Sequence, residues 1–171
     1  MNLKIFVRSG KGAADITPLL RDNEAFAELI NRLAGKILDL DFDKIVCIEG
    51  RGFLLGSAVA FKLGKGLVPI RTAGKLKNET LSVDYIDYSG SKKTLEINKD
   101  TLNEGEKVVI IDDWVQTGAT LKSAIKLVES LRGNIVGIVV FMDDSNDVTR
   151  DDLSKYNYQY LEKDLKQEEK F

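Results

Sequence analysis

The sequence predicts an α/β protein, an open parallel β-sheet flanked by helices, and three observations carry that prediction. Short runs at residues 45–48, 67–70, 108–111 and 135–142 are apolar throughout and β-branched, as expected of strands buried on both faces. Between them lie segments with apolar residues at helical spacing, at 53–63 and again at Leu121, Ala124, Ile125 and Val128. Strand–helix alternation over residues 45–142 then implies parallel pairs joined by right-handed crossovers. No repeat or Pro/Ser linker interrupts the chain, and 171 residues suit one domain spanning 1–171.

The elements follow in order. Residues 1–7 are a short mixed run, and Ser9-Gly10-Lys11-Gly12 is a flexible link. Asp15-Ile16-Thr17-Pro18 reads as a turn that sends Leu19 and Leu20 inward. Over residues 23–40, Phe26, Leu29, Ile30, Leu33, Ile37 and Leu38 predict an amphipathic helix. The strand at 45–48 ends in Glu49-Gly50-Arg51-Gly52, and a helix rich in small residues follows at 53–63. Gly50, Gly52 and Gly56 form a loose relative of the dinucleotide fingerprint, but the acidic residue expected ~20 positions further on is missing. Arg51 inside the turn suggests another use, backbone donors plus a guanidinium facing a polyphosphate.

The strand at 67–70 leads into Arg71-Thr72-Ala73-Gly74-Lys75, two cations and a glycine just past a strand end. Residues 79–98 change character: polarity roughly alternates around Ser89-Gly90-Ser91, a protruding β-hairpin with Asp84, Asp87 and Tyr88 near its tip. Such a hairpin is either an edge decoration or a lid. After the strand at 135–142, Asp143-Asp144-Ser145-Asn146-Asp147 reads as an acidic loop. A last strand is expected around 158–161, and residues 162–171 as a charged, solvated tail.

Chemistry concentrates at residues 107–120, KVVIIDDWVQTGAT. The apolar strand runs into Asp112 and Asp113, and Thr117-Gly118-Ala119-Thr120 then opens a helix. Unpaired N–H groups and the positive dipole end favour an anion there. Adjacent carboxylates at a strand's carboxyl end, beside a phosphate-ready loop, can hold a sugar diol and its phosphate together. The plain alternative is a strand–loop–helix with an exposed acidic turn; the tendency of open α/β sheets to bind ligands at such strand ends favours the site.

Composition narrows the rest. Hydrophobic content of 43% and charged content of 30% are those of a soluble globular chain. A net charge of −2 speaks against a nucleic-acid partner. No apolar run approaches the ~20 residues of a membrane span, and no signal peptide is visible, so the expected location is cytoplasmic. The single Cys47 sits in an apolar run and reads as a buried thiol. Without any histidine, Ser–His and Cys–His nucleophilic sites are excluded, and a general acid or base must be Asp, Glu, Lys, Tyr or solvent.

The order of hydrophobic run, Asp-Asp, three residues and Thr-Gly-x-Thr resembles the phosphoribosyl-pyrophosphate (PRPP) motif of type I phosphoribosyltransferases. Asp15-Ile16-Thr17-Pro18-Leu19-Leu20, Glu49-Gly50-Arg51-Gly52-Phe53, Val68-Pro69-Ile70-Arg71 with Gly74-Lys75-Leu76, and Leu95-Glu96-Ile97-Asn98-Lys99-Asp100 narrow the resemblance to the adenine phosphoribosyltransferases. It covers roughly residues 13–142. The resemblance implies a parallel-sheet core, a partial hood at residues 1–22 and a hairpin lid at 79–98. It also implies a homodimer and a magnesium-dependent reaction of a purine base with PRPP, giving a nucleotide and pyrophosphate, with magnesium carried by PRPP.

By position, the resemblance implies that Asp112 and Asp113 receive the ribose hydroxyls and that Gln116, Thr117, Gly118, Ala119 and Thr120 cradle the 5′-phosphate. Glu49, Gly50, Arg51 and Gly52 form the pyrophosphate loop, with Arg71 and Lys75 neutralising the leaving group. Tyr85, Asp87 and Tyr88 belong to the lid, Asp87 standing where the family has a glutamate acid/base. Gly12, Ala13 and Ala14 stand where an adenine-binding Phe-Arg is usual, and Trp114, Gln116 and Ala119 also depart from the family pattern. Adenine is therefore the first base to consider, with hypoxanthine, guanine or xanthine as alternatives. A non-catalytic PRPP or nucleotide sensor and a dinucleotide-dependent oxidoreductase are the other readings. Trp114 is read as a packing or subunit-contact residue, base stacking being its alternative.

Overall fold

Val108 and Ile110 face one side of strand β5 (Lys107–Val115) and Val109 and Ile111 the other, and all four are fully buried. The same alternation repeats in β6 (Asn134–Asp143), with Ile138 and Val140 on one side and Val139 and Phe141 on the other. A sheet of this kind needs a helical layer on each face. The structure, a computed structural model describing residues 1–8, 14–77 and 79–163, supplies both.

One layer contains a 3-10 turn (Leu3–Phe6), α1 (Thr17–Arg21), α2 (Asn23–Gly35) and α3 (Arg51–Leu63). The other contains α4 (Ala119–Ser130) and α5 (Asp147–Ser154). The remaining strands are β1 (Lys44–Ile48), β2 (Gly66–Thr72), β3 (Thr80–Ile86), β4 (Lys92–Asn98) and β7 (Tyr158–Lys163). They form one seven-stranded sheet in the order β3-β4-β2-β1-β5-β6-β7. The five strands from β2 to β7 in that order are mutually parallel, while β4 and β3 run antiparallel. The expected open sheet flanked by helices is present, parallel except for β4 and β3, and β1 and β5 at its centre end side by side.

Several boundaries differ from those expected. Residues 15–18 are not only a turn: Asp15 Oδ1 accepts from Thr17 N at 2.8 Å, and Pro18 in the first turn starts α1. The helix expected over 23–40 ends at Gly35, and its last carbonyls are taken by tighter turns at Lys36 and Ile37. Helix α3 begins at Arg51 rather than Phe53, so Arg51 and Gly52 belong to its first turn and only Glu49 and Gly50, the latter at φ +114°, are loop. Strand β5 runs through the aspartate pair to Val115 because β6 continues to pair with it, Asp112 against Val140 and Trp114 against Met142.

The hairpin β3–β4 is not free-standing. Its second strand joins the sheet through Arg71↔Glu96 and Thr72↔Leu95, and Asp84 lies within β3, opposite Thr94, not at the tip. The acidic loop expected over 143–147 is divided: Asp143 closes β6 and Asp147 opens α5, a helix too polar for its periodicity to be legible. Glu162 and Lys163, assigned to the tail, are the end of β7; residues 164–171 lie outside the described residues. Among the described residues no helix is long and apolar enough to cross a membrane.

Candidate active site

At the carboxyl ends of β1 and β5 a cleft of about 370 Å³ opens. Its floor is Asp112 and Asp113. One wall is Glu49, Gly50 and Arg51 after β1; another is Gln116, Thr117, Gly118 and Thr120 before α4; Tyr85, Asp87 and Tyr88 of the hairpin face them. The structure therefore brings together residues that are up to 71 positions apart in sequence, between Glu49 and Thr120. Arg71 and Lys75 sit behind Glu49, and Gly52 lies against the floor. Ala14 reaches the site through Arg51, whereas Gly12 and Ala13 lie outside the described residues.

Both floor carboxylates are buried, 7% and 8% exposed. Sheet alternation breaks between them: Ile111 and Trp114, three residues apart, pack into the same core, while Val115 joins the opposite one. That irregularity turns two consecutive side chains into one cleft. Asp112 Oδ1 accepts from Asp113 N at 3.0 Å. A Cβ on Gly52 would stand 2.6 Å from the same oxygen, so only glycine lets α3 approach here. Burial, then the neighbouring charge of Asp113, push the Asp112 carboxyl well above the usual range. Burial raises Asp113 as well, opposed by Arg51, whose Nε lies 2.6 Å from Asp113 Oδ2.

The cations are already engaged. Arg51 donates to the Ala14 carbonyl oxygen while pairing with Asp113. Arg71 (3.3 Å) and Lys75 both pair with Glu49 Oε1, and Thr72 N donates to Glu49 Oε2 at 2.7 Å. Burial opposes the Glu49 charge, but the bonds from Lys75, Thr72 and Arg71 outweigh it and hold the carboxyl at about 2. Asp87 Oδ1 accepts from Ser89 N (2.8 Å), Ser89 Oγ (2.6 Å) and Ser91 N (3.0 Å), and the Ser89 bonds above all keep this half-buried carboxyl below the ordinary range. Trp114 does two things, packing against the α3-side core and lining the cleft. Its Nε1 is buried without a hydrogen-bond partner among the described residues.

Two further residues matter that sequence reasoning left unassigned. Glu96, within one of the quoted motifs, is a buried carboxylate accepting from Lys75 N and Leu76 N. Thr149 on α5 covers the phosphate-type loop: its Oγ1 donates to Thr117 O at 3.4 Å, and a Cβ on Gly118 would stand 2.6 Å from its methyl. In a trans peptide the N–H opposes the C=O, so a Thr117 carbonyl held by α5 turns the Gly118 N–H away from α5. Buried Asp143 anchors this arrangement through Ser145 N (2.7 Å), Ser145 Oγ (2.6 Å) and Arg150 (3.4 Å). Nothing in the periodicity of 143–154 pointed to it.

The phosphoribosyl transferase domain family matches residues 19–169 of this sequence. The chain belongs to the phosphoribosyltransferase family. Among its relatives, the adenine phosphoribosyltransferase of Thermotoga sp. (strain RQ2) is 41% identical over 94% of this chain and 98% of its own length. That of Acetivibrio thermocellus is 44% identical over 91% of each chain. The crystal structure of adenine phosphoribosyltransferase from Thermoanaerobacter pseudethanolicus superposes with a TM-score of 0.85 at 40% identity, covering 95% of this chain and 98% of that one. The Saccharomyces cerevisiae enzyme, solved with an imino-altritol bisphosphate and adenine, gives 0.77 at 32% identity, covering 92% and 94%. As a phosphoribosyltransferase the chain is a pentosyl-transferring glycosyltransferase, and the relatives named above are adenine phosphoribosyltransferases. The dinucleotide-dependent oxidoreductase reading falls away.

Proposed function

We propose that this phosphoribosyltransferase converts adenine and PRPP into AMP and pyrophosphate, with the whole chain acting as one domain. The observation that carries the reading is the buried Asp112–Asp113 pair, set between a helix-opening loop and a cluster of cations. Two raised carboxylates suit hydroxyl groups of a ribose, which they can accept hydrogen bonds from without a solvated counter-charge. The amides of 117–120 at the start of α4 suit the 5′-phosphate. The partial hood is assigned to 1–22, of which residues 9–13 lie outside the described residues, and the lid to 79–98.

Departure of pyrophosphate leaves an oxocarbenium-like sugar, so positive charge grows at C1 while negative charge leaves with the phosphates. Asp112 and Asp113 favour the first, and Arg71 and Lys75 the second once pyrophosphate replaces Glu49 on them. Asp87 is the group on the hairpin side that accepts the purine N–H proton. Its three bonds all fall on Oδ1, leaving Oδ2 for that proton. Magnesium would arrive on PRPP, held mainly by the polyphosphate oxygens, and would supply charge neutralisation there; among the described residues no group of three or more acidic side chains is arranged to hold a metal. Closure of the hairpin tip between Ile86 and Lys92 excludes water from the sugar cation.

A homodimer formed through α3 is part of the proposal, since Leu54 (50% exposed) and Phe61 (91%) stand seven residues apart on one helix face. So is a cytoplasmic location, with Cys47 a buried thiol whose pKa desolvation pushes up to about 12. The experiment is pyrophosphate release from PRPP and magnesium with adenine, hypoxanthine, guanine and xanthine supplied singly, Asp113→Asn serving as blank. Release with adenine is expected. Release with an oxopurine alone reassigns the base, and PRPP binding without turnover makes the chain a sensor.

A further inference from the structure

Glu96 lies on β4 directly across from Arg71 of β2 and is only 6% exposed. After β2 the chain reverses at Gly74, whose φ of +87° is a conformation glycine adopts without strain. The reversal points successive amides at one place, the geometry that elsewhere makes an anion nest. Here the occupant is internal: Glu96 Oε1 accepts from Lys75 N at 2.9 Å and Leu76 N at 2.8 Å. Burial works against the charge of this carboxylate, yet the amides of Leu76, Gly74 and Lys75, with Arg71 nearby, keep it below its ordinary value.

A carboxylate used up in this way is closed to ligands. What it does determine is the path of the backbone that carries Lys75, and Lys75 Nζ in turn meets Glu49 at the edge of the cleft. We infer that Glu96 is a positioning residue for pyrophosphate: it pins the backbone of residues 74–76 so that Lys75 is held toward the leaving group. The inference rests on the reading above that Lys75 receives pyrophosphate. Removing Glu96 frees the two amide donors of Lys75 and Leu76 and a loop whose ordering then has to be supplied at binding. Because Glu96 touches no ligand, its effect must pass through Lys75.

The test is calorimetric binding of pyrophosphate with magnesium to the full chain carrying Glu96→Gln, Glu96→Ala, Lys75→Ala, or Lys75→Ala combined with either Glu96 change. AMP is titrated in parallel. Pyrophosphate affinity is expected to fall about tenfold in Glu96→Ala and about threefold in Glu96→Gln, which keeps an oxygen acceptor but loses the charge. AMP affinity stays within about twofold, and in the Lys75→Ala background either Glu96 change has no further effect, as expected of coupled rather than independent sites. Additive losses, an unchanged pyrophosphate affinity in Glu96→Gln, or an AMP affinity that falls in step would overturn the inference. Where Glu96→Ala does not fold, the Glu96→Gln pair decides alone. A parent chain that binds AMP but no pyrophosphate overturns the role given to Lys75, and this inference with it.

Discussion

Arg51 Nε stands 2.6 Å from Asp113 Oδ2, and the same guanidinium donates to the carbonyl of Ala14. One side chain thus ties the floor of the cleft to the N-terminal segment. Removing it leaves a buried carboxylate without its counter-charge. Arg51→Ala is expected to destabilise the chain by about 1–3 kcal/mol, toward the low end because the guanidinium is partly exposed. Asp113→Asn in the same chain should recover most of that loss. Urea unfolding of the single and double variants checks the coupling, and equal losses in the presence and absence of Asp113 would refute it.

Asp112 supplies a pH prediction with a definite sign. Its folded pKa is raised, by burial first and by Asp113 second, so the fold prefers the protonated form. That contribution is present below the unfolded value near 3.8 and is lost as pH rises through the raised one. Asp112→Asn should therefore raise the melting temperature at pH 7 to 8, with a gain that shrinks toward pH 4, while abolishing turnover. Melting curves across that range decide; a variant less stable than the parent at pH 7 sinks the idea.

Glu49 behaves in the opposite sense. Its pKa falls from 4.5 to about 2, so its contribution is present above 4.5 and is lost as pH falls through about 2. Glu49→Gln should flatten the stability profile across that window. At pH 7 the same change releases Arg71 and Lys75, and pyrophosphate should bind about fivefold more tightly through charge-assisted bonds no longer contested. Weaker pyrophosphate binding would mean that Glu49 assists the ligand instead of standing in for it.

Gly118 and Thr149 can be tested as a pair. An alanine at Gly118 meets both a φ of +76° and the Thr149 methyl at 2.6 Å. The left-handed backbone alone costs about 1–2 kcal/mol, and the overlap adds to it. Thr149→Ala deletes the methyl, leaving only its Cβ at 3.9 Å, and should rescue part of the Gly118→Ala defect in KM for PRPP. No rescue would place α5 outside the function of the loop.

The parts of this molecule legible in sequence are those where a residue type has one use. Apolar runs such as 108–111 had to be two-face buried strands, and Thr117-Gly118 had to turn. Asp112 and Asp113 declared themselves because two charges at the end of such a run need a reason to be there. Less was legible where a side chain serves another segment. Helix α5 is polar, so its pattern does not separate it from a loop; only Thr149 and Leu153 face inward. Glu96 lies in a strand whose alternation gives no sign that Gly74 folds back upon it. The engagement of Arg51, Arg71 and Lys75 by Asp113 and Glu49 depends on distances across the sheet, which no spacing encodes.

The joining of β4 to β2 has a mechanical corollary. Strand β4 is stitched to the sheet at Arg71↔Glu96 and Thr72↔Leu95, and β3 borders α4 along Leu81 and Val83. The hairpin therefore has no hinge at its root about which it can swing as a unit. Travel is left to the residues between Ile86 and Lys92, whose bonds are the local ones around Asp87. In the proposed reaction the gate would be a fingertip, not a door: substrates would enter and products leave as five residues uncurl, while the finger behind them stays sewn to the hand.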